Sequence, residues 1–244
     1  MDNKDLEREI SWLIRDKYNG VMSTNAIADI ERLRSGEPLA YVIGWIPFLG
    51  TKIYLDSKPL IPRTETEYWV GQAVETLKAR KLPELRILDL CAGSGCVGVA
   101  LANALPESTV DFVEIDPSHI ATIWKNIDEN KIDRSRMQVI TGDLFEKIED
   151  KYDLIVSNPP YINKSLKYRV EDSVKMFEPE IALYADDKGL EVIKRIVNDG
   201  PKFLKDEGMI FIEHEPEQAV EISTLPNFKA TLEDQFGIKR YSQF

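Results

Sequence analysis

The sequence predicts an α/β fold: a doubly wound, mostly parallel sheet of seven strands, preceded by a short helical N-terminal appendage and a β-hairpin. Three observations predict it. Beyond residue 84, short apolar runs alternate with helical patterns, the rhythm of a parallel sheet covered on both faces. The first of these runs leads directly into a glycine-rich turn and a helix. The fourth ends in two adjacent prolines, which hold the chain extended and remove two backbone donors.

Taken in order, Leu6, Ile10, Leu13 and Ile14 recur at helical spacing, and Tyr18 extends the stripe until Asn19-Gly20 breaks it. A second helix follows Ser23-Thr24, with Ile27, Ile30 and Leu33 on one face and Gly36 ending it. From Glu37 to Pro62 the pattern turns strand-like. Ile46 to Leu49 and Ile53 to Leu55 flank Gly50-Thr51-Lys52, as in a hairpin. Thr64-Glu65-Thr66-Glu67 reads as a capping box for a helix carrying Tyr68, Trp69, Val70, Val74 and Leu77.

After Lys81-Leu82-Pro83, strands are expected at 86–90, 110–115, 137–141, 153–156 and 209–213. Helices are expected at about 95–104, 117–130, 190–198 and 217–223. Segments 228–232 and 238–242 suit an antiparallel hairpin at one edge. Residues 163–187 are polar and show no clear period; so long a stretch beside a strand end is expected to cover a site. The chain therefore divides into a helical segment (1–36), a hairpin and linker (37–67) and the sheet domain (68–244).

The totals exclude several classes. With 244 residues and 43% hydrophobic content, one large domain can bury a sizeable core. The net charge of −11 argues against broad phosphate-backbone binding, so no stable nucleic-acid complex is expected. No run approaches the roughly 20 apolar residues of a membrane span. The opening Met1-Asp2-Asn3-Lys4-Asp5 has no basic region before an apolar one, so a cytoplasmic location is expected. Cys91 and Cys96 are too few for a disulfide framework and read as small buried thiols. With only His119 and His214 beside them, no metal is expected.

The stretch from Ile87 to Ala102, ILDLCAGSGCVGVALA, is strand, turn and helix in succession. Its glycines permit positive φ and close approach of a ligand to the backbone. Gly93, Gly95 and Gly98 satisfy G-x-G-x-x-G, and Glu114 ends the next strand, where a carboxylate can accept both ribose hydroxyls. Together they indicate an adenosine-containing cofactor, either NAD or S-adenosylmethionine. Asp89, inside the strand, favours the second. Its carboxylate would repel a pyrophosphate but can help organise the turn around an amino-acid tail. Asp143, in Gly142-Asp143-Leu144-Phe145, is placed to meet an adenine amino group while apolar side chains flank the base. The competing reading of Asp143 is a helix N-cap.

Asn158-Pro159-Pro160-Tyr161 resembles the (N/D)-P-P-(Y/F/W) motif of S-adenosylmethionine-dependent methyltransferases that modify planar nitrogens: adenine N6, guanine N2 or a glutamine side-chain amide. Such a nitrogen is a poor nucleophile because its lone pair is delocalised. The catalyst must hold it in line and favour the pyramidal, charge-bearing nitrogen of the transition state. The Asn158 side-chain oxygen and the Pro159 carbonyl can each accept one N–H of the NH2 group. The prolines fix these acceptors, and Tyr161 can pack on the planar group.

The stretch from Gly36 to Glu67, GEPLAYVIGWIPFLGTKIYLDSKPLIPRTETE, closely resembles the HemK/PrmC family of peptide chain release factor N5-glutamine methyltransferases. Phe177-Glu178-Pro179, Ala182-Leu183 and Gly189-Leu190 echo further family stretches, so the resemblance runs from about residue 36 to the C-terminus. It implies a Rossmann-like class I methyltransferase fold, acting on the glutamine of a release factor's Gly-Gly-Gln loop. It implies that Cys91, Ala92, Gly93, Ser94, Gly95, Glu114, Leu144 and Asn158 contact S-adenosylmethionine, and that Asn158, Pro159, Pro160 and Tyr161 receive the glutamine. Phe48, Arg63 and Thr66 are expected to shape the pocket mouth. The competing readings are hairpin packing for Phe48, an ion pair for Arg63 and, for Glu67, helix-start capping rather than catalysis.

Three departures stand out. Cys91 replaces the family's usual Gly, Thr64 often stands as Pro, and only about 35 residues precede the signature, room for two helices of a reduced substrate-docking region. A monomer is expected. The alternatives are a nucleic-acid amino methyltransferase, which would need a flipped base and a basic channel, a NAD-dependent oxidoreductase, and a non-catalytic binding protein.

Overall fold

Helices α1 (Asn3–Tyr18) and α2 (Thr24–Arg34) pack through Leu13, Ile30 and Leu33 in the computed structural model, which describes residues 3–80 and 84–244. The first two residues of the acidic opening and the breaker Lys81-Leu82-Pro83 lie outside those described. Ser23 caps α2, its hydroxyl accepting the Ala26 N–H at 3.1 Å. Asp29 accepts from Lys17, Tyr18 and Arg32, and Arg32 forks onto both oxygens of Glu37 at 2.8 Å. The Arg32 bonds, helped by Lys58, hold the Glu37 carboxyl down at about 2. This network ties the helical pair to the linker.

The linker begins with a helix where the sequence suggested a strand. α3 (Leu39–Ile43) is one turn, preceded by Pro38 and ended by Gly44 at φ +95. Five residues that bury Tyr41 and Val42 carry too little period to separate helix from strand. The hairpin follows as expected: β1 (Trp45–Phe48) pairs antiparallel with β2 (Thr51–Tyr54). α4 (Thr64–Arg80) follows, but not through a capping box. The Glu67 carboxylate instead accepts the Leu49 N–H at 2.6 Å, pinning the hairpin turn to the helix.

The sheet comprises β3 (Arg86–Leu90), β4 (Thr109–Glu114), β5 (Met137–Thr141), β6 (Tyr152–Ser157), β9 (Leu204–Glu213), β10 (Ala230–Glu233) and β11 (Lys239–Gln243), in the order β10-β11-β9-β6-β3-β4-β5. Five strands are parallel; β11 and β10 form the antiparallel edge hairpin. Side chains alternate between two apolar layers. Ile87, Phe112, Val156 and Phe211 face α4, α5 (Cys96–Ala104) and α6 (Ile120–Glu129). Leu88, Val113, Ile155 and Ile210 face α9 (Glu191–Asp199) and α10 (Ala219–Ile222). That two-sided burial explains why the strands read as near-continuous apolar runs.

The polar stretch after β6 is folded rather than a plain loop. A two-stranded parallel ladder, β7 (Ile162–Asn163) with β8 (Tyr184–Ala185), brackets the short helices α7 (Asp172–Phe177) and α8 (Glu180–Leu183). Its elements are each six residues or fewer in these helices and strands, too short to give a sequence period. No helix among the described residues is long and apolar enough to cross a membrane.

Candidate active site

The chain runs from β3 outward to β4 and β5, then returns to place β6 on the other side of β3. The carboxyl ends of β3 and β6 therefore border the crevice where sheets of this kind bind ligands. The glycine turn leaves β3 and the proline corner leaves β6.

At the turn, Cys91, Gly93 and Gly95 have φ of +59, +55 and +77. A Cβ on Gly98 would lie 2.2 Å from the Phe112 ring, so the third glycine serves helix–sheet packing. Most of the loop's donors are committed internally. Ala92 N–H donates to the Val113 carbonyl, Gly93 N–H to Glu114, Gly95 N–H to the Ala92 carbonyl and Gly98 N–H to Asp89. A diphosphate, which needs free backbone donors, is poorly served here.

Asp89 points under α5 rather than toward the crevice, accepting the Gly98 N–H at 2.8 Å. Burial lifts its carboxyl to about 7, against that bond, and the Glu114 charge adds to the rise. It organises the turn from behind. Glu114 accepts the Gly93 N–H at 2.7 Å and the Asp116 N–H at 2.8 Å, one on each oxygen. Each oxygen keeps a lone pair, the acceptor set two vicinal hydroxyls require.

Two cavities meet at the corner. One, about 150 Å³, is lined by Cys91, Gly93, Glu114, Asp143, Leu144 and Asn158, closed by Ile115, His119, Ile181 and Val192. Asp143 lies beside Arg195, which donates to it at 2.8 Å, and no helix starts there. The other, a cleft of about 570 Å³, is lined by Asn158, Tyr161, Arg63 and residues of the segment after β6. Asn158, Leu60 and Ala182 border both.

Asn158 is held by its nitrogen. Its Nδ2 donates to the Thr66 hydroxyl at 3.2 Å, and its Oδ1 is buried without a partner. Thr66 donates to Glu213 at 2.6 Å, and Glu213 also accepts from Trp69 Nε1 (2.7 Å) and the Tyr161 hydroxyl (2.9 Å). Burial raises the Glu213 carboxyl while its three donors oppose the rise. Burial and the facing Glu213 push the Tyr161 phenol well above its ordinary value.

The other expected residues fall into two groups. Arg63 lines the cleft and pairs with the buried Glu178 at 2.6 Å. Pro160 lines the smaller cavity. Ala92, Ser94, Gly95 and Pro159 lie in the same turns but border neither cavity. Phe48, 1% exposed, packs in the hairpin core, and Thr66 is equally buried beneath Asn158 rather than at the mouth. Cys91 and Cys96 are half-buried. The sequence reading missed Glu213, Gln218, His119 and Arg195. Glu213 had a signal: like Glu114, it is an acid at the carboxyl end of an apolar strand.

S-adenosylmethionine fits these residues better than a dinucleotide does. The smaller cavity carries Glu114 and Asp143, its Arg195 is already paired, and the N–H groups of Ala92, Gly93 and Gly95 are taken within the turn.

Residues 73–178 match the Methyltransferase small domain family. The chain is 33% identical over 208 residues to the release factor glutamine methyltransferase of Lactococcus lactis subsp. lactis (strain IL1403), covering 84% of this chain and 74% of that protein. It is 38% identical over 197 residues to that of Francisella tularensis subsp. tularensis (strain SCHU S4 / Schu 4), covering 80% and 68%. Among solved structures, it is similar to the ribosomal protein L11 methylase of Lactobacillus delbrueckii subsp. bulgaricus (TM-score 0.56, 16% identity, 77% of this chain and 81% of that one). It is also similar to the hMettl16 catalytic domain in complex with MAT2A 3'UTR hairpin 1 (TM-score 0.60, 16% identity, 97% and 90%). Those two likenesses show the fold: a Rossmann-like methyltransferase sheet.

Proposed function

The chain belongs to the release factor glutamine methyltransferase family, and from that premise we propose its reaction and the residues that carry it. It transfers a methyl group from S-adenosylmethionine to the side-chain amide nitrogen (N5) of the glutamine in the Gly-Gly-Gln loop of a peptide chain release factor. The observation that carries this reading is Asn158. Its oxygen is a buried acceptor without a partner, on a residue bordering both cavities. An amide NH2 supplies the missing donor.

S-adenosylmethionine supplies a methyl group already activated on a sulfonium, so no strong base is needed before attack. The protein's part is to bind, orient and stabilise. Cys91 and Gly93 form the wall against the cofactor, with Ala92, Ser94 and Gly95 setting the course of the turn and Asp89 fixing it from behind. Glu114 takes the ribose hydroxyls; Asp143 and Leu144 serve the adenine. Asn158 Oδ1 and the Pro159 carbonyl accept the two amide N–H groups and so favour the positive charge that develops on nitrogen. Pro160 and Tyr161 hold the acceptor in place, and Arg63 shapes the mouth of the cleft. Phe48 and Thr66 act from within the packing, by supporting the hairpin and Asn158.

A nucleic-acid acceptor is not favoured. Glu215, Glu217 and Glu221 line the cleft, its Arg63 and Arg169 are paired with Glu178 and Glu217, and only Lys188 of its lining cations has no carboxylate partner among the described residues. A polyanion needs unpaired cations there. Residues 1–36 are proposed to assist docking of the release factor, and the protein to work as a cytoplasmic monomer without a metal. Incubation with labelled S-adenosylmethionine and, separately, release factor, ribosomal RNA or DNA tests the reading. Label on the release factor supports it; label on nucleic acid alone refutes it.

A further inference from the structure

We infer that Glu213 is a positioning residue that decides which atom Asn158 presents to the acceptor, acting through Thr66. The inference rests on the reading of Asn158 as the acceptor-binding group. Glu213 ends β9, borders neither cavity and is 1% exposed, so it acts on the acceptor only through other side chains.

Donor and acceptor capacity decides the arrangement. An ionised carboxylate can only accept, and Glu213 takes the single hydroxyl proton of Thr66 at 2.6 Å. Thr66, its proton committed, can only accept from Asn158. The amide therefore turns its NH2 to Thr66, at 3.2 Å, and leaves Oδ1 without a protein partner. Without this relay the amide can flip and present its own NH2 to an incoming NH2, donor against donor. The same carboxylate fixes the Tyr161 hydroxyl at 2.9 Å and is itself seated by Trp69 Nε1 at 2.7 Å. One buried group thus sets the side chains on both sides of Pro159-Pro160, from a strand more than fifty residues later.

The test compares Thr66→Val, which removes the hydroxyl at near-constant volume, with Thr66→Ser, which keeps it, and with Glu213→Gln. Thr66→Val is expected to lower kcat by about 10²-fold while cofactor Kd stays within roughly threefold of wild type. Thr66→Ser recovers most of the turnover. With asparagine-selective ¹⁵N labelling, the Asn158 side-chain protons are expected to exchange slowly in wild type and in Thr66→Ser, and fast in Thr66→Val. Glu213→Gln keeps one accepting oxygen for Thr66 and Trp69, with its Nε2 able to donate to the Tyr161 hydroxyl, so it is expected to retain far more turnover than Thr66→Val; if it does not fold, the Thr66 pair carries the test. A Thr66→Val protein with kcat within threefold of wild type overturns the inference, as does one whose cofactor affinity and melting temperature fall along with turnover. Wild-type protein that leaves the release factor unlabelled refutes the functional reading alone; the Asn158 exchange rates still decide the positioning claim.

Discussion

Gly189 is pressed against the carbonyl of Tyr161: a Cβ on this glycine would lie 1.9 Å from that oxygen. Its φ of +88 is a second reason for glycine. Gln218 closes the contact, its Nε2 donating to the Tyr161 carbonyl at 2.8 Å and the Lys188 carbonyl at 3.1 Å. The far end of the proline corner is thereby clamped from two later segments. Gly189→Ala is expected to push the corner out of place, with destabilisation of about 1–3 kcal/mol and a larger proportional loss of turnover. Urea denaturation and steady-state kinetics measure both.

Glu114→Gln tests the cofactor side. The substitution replaces one acceptor oxygen by a donor where Gly93 and Asp116 N–H groups already point. Cofactor affinity is expected to fall about 10–100-fold, the loss of one to two hydrogen bonds to a charged group. Isothermal titration calorimetry reads this directly.

Asp89 gives a pH dependence with a definite sign. Its folded carboxyl lies near 7, above the ordinary value of 3.8. A raised carboxyl contributes stability that is fully present below about 4 and lost as pH rises through about 7. Asp89→Asn keeps an oxygen for the Gly98 N–H and removes the titration. The variant is expected to lose less stability than wild type between pH 5 and pH 8, as measured by urea unfolding at about those two values.

Cys91 borders the smaller cavity, yet burial pushes its thiol up to about 12. The thiolate is the reactive form, so alkylation by iodoacetamide near neutral pH is expected to be far slower than for a free cysteine. Mass spectrometry of the modified peptide over time checks it.

Much of this was legible from residues alone, and the exceptions have physical causes. The sheet showed itself because strands buried on both faces form unbroken apolar runs, and the turn and corner because glycine and proline constrain the backbone locally. α3 escaped because five residues are too few to display a helical period. Glu67 was misread because its partner, Leu49, comes from the preceding hairpin rather than from its own helix. Glu213 was hidden for the same reason on a larger scale. Its roles depend on Thr66 and Tyr161, brought beside it only when α4 and the corner pack against the end of β9.

In the proposed reaction, Asn158 receives the amide of a release-factor glutamine. Peptide mass spectrometry of a release factor treated with S-adenosylmethionine and either wild-type protein or Asn158→Ala tests it most directly. A single methyl group is expected on the Gly-Gly-Gln glutamine amide with wild type. With Asn158→Ala almost none is expected, although cofactor binding persists. A methyl group at another residue, or unchanged glutamine methylation by Asn158→Ala, would contradict it.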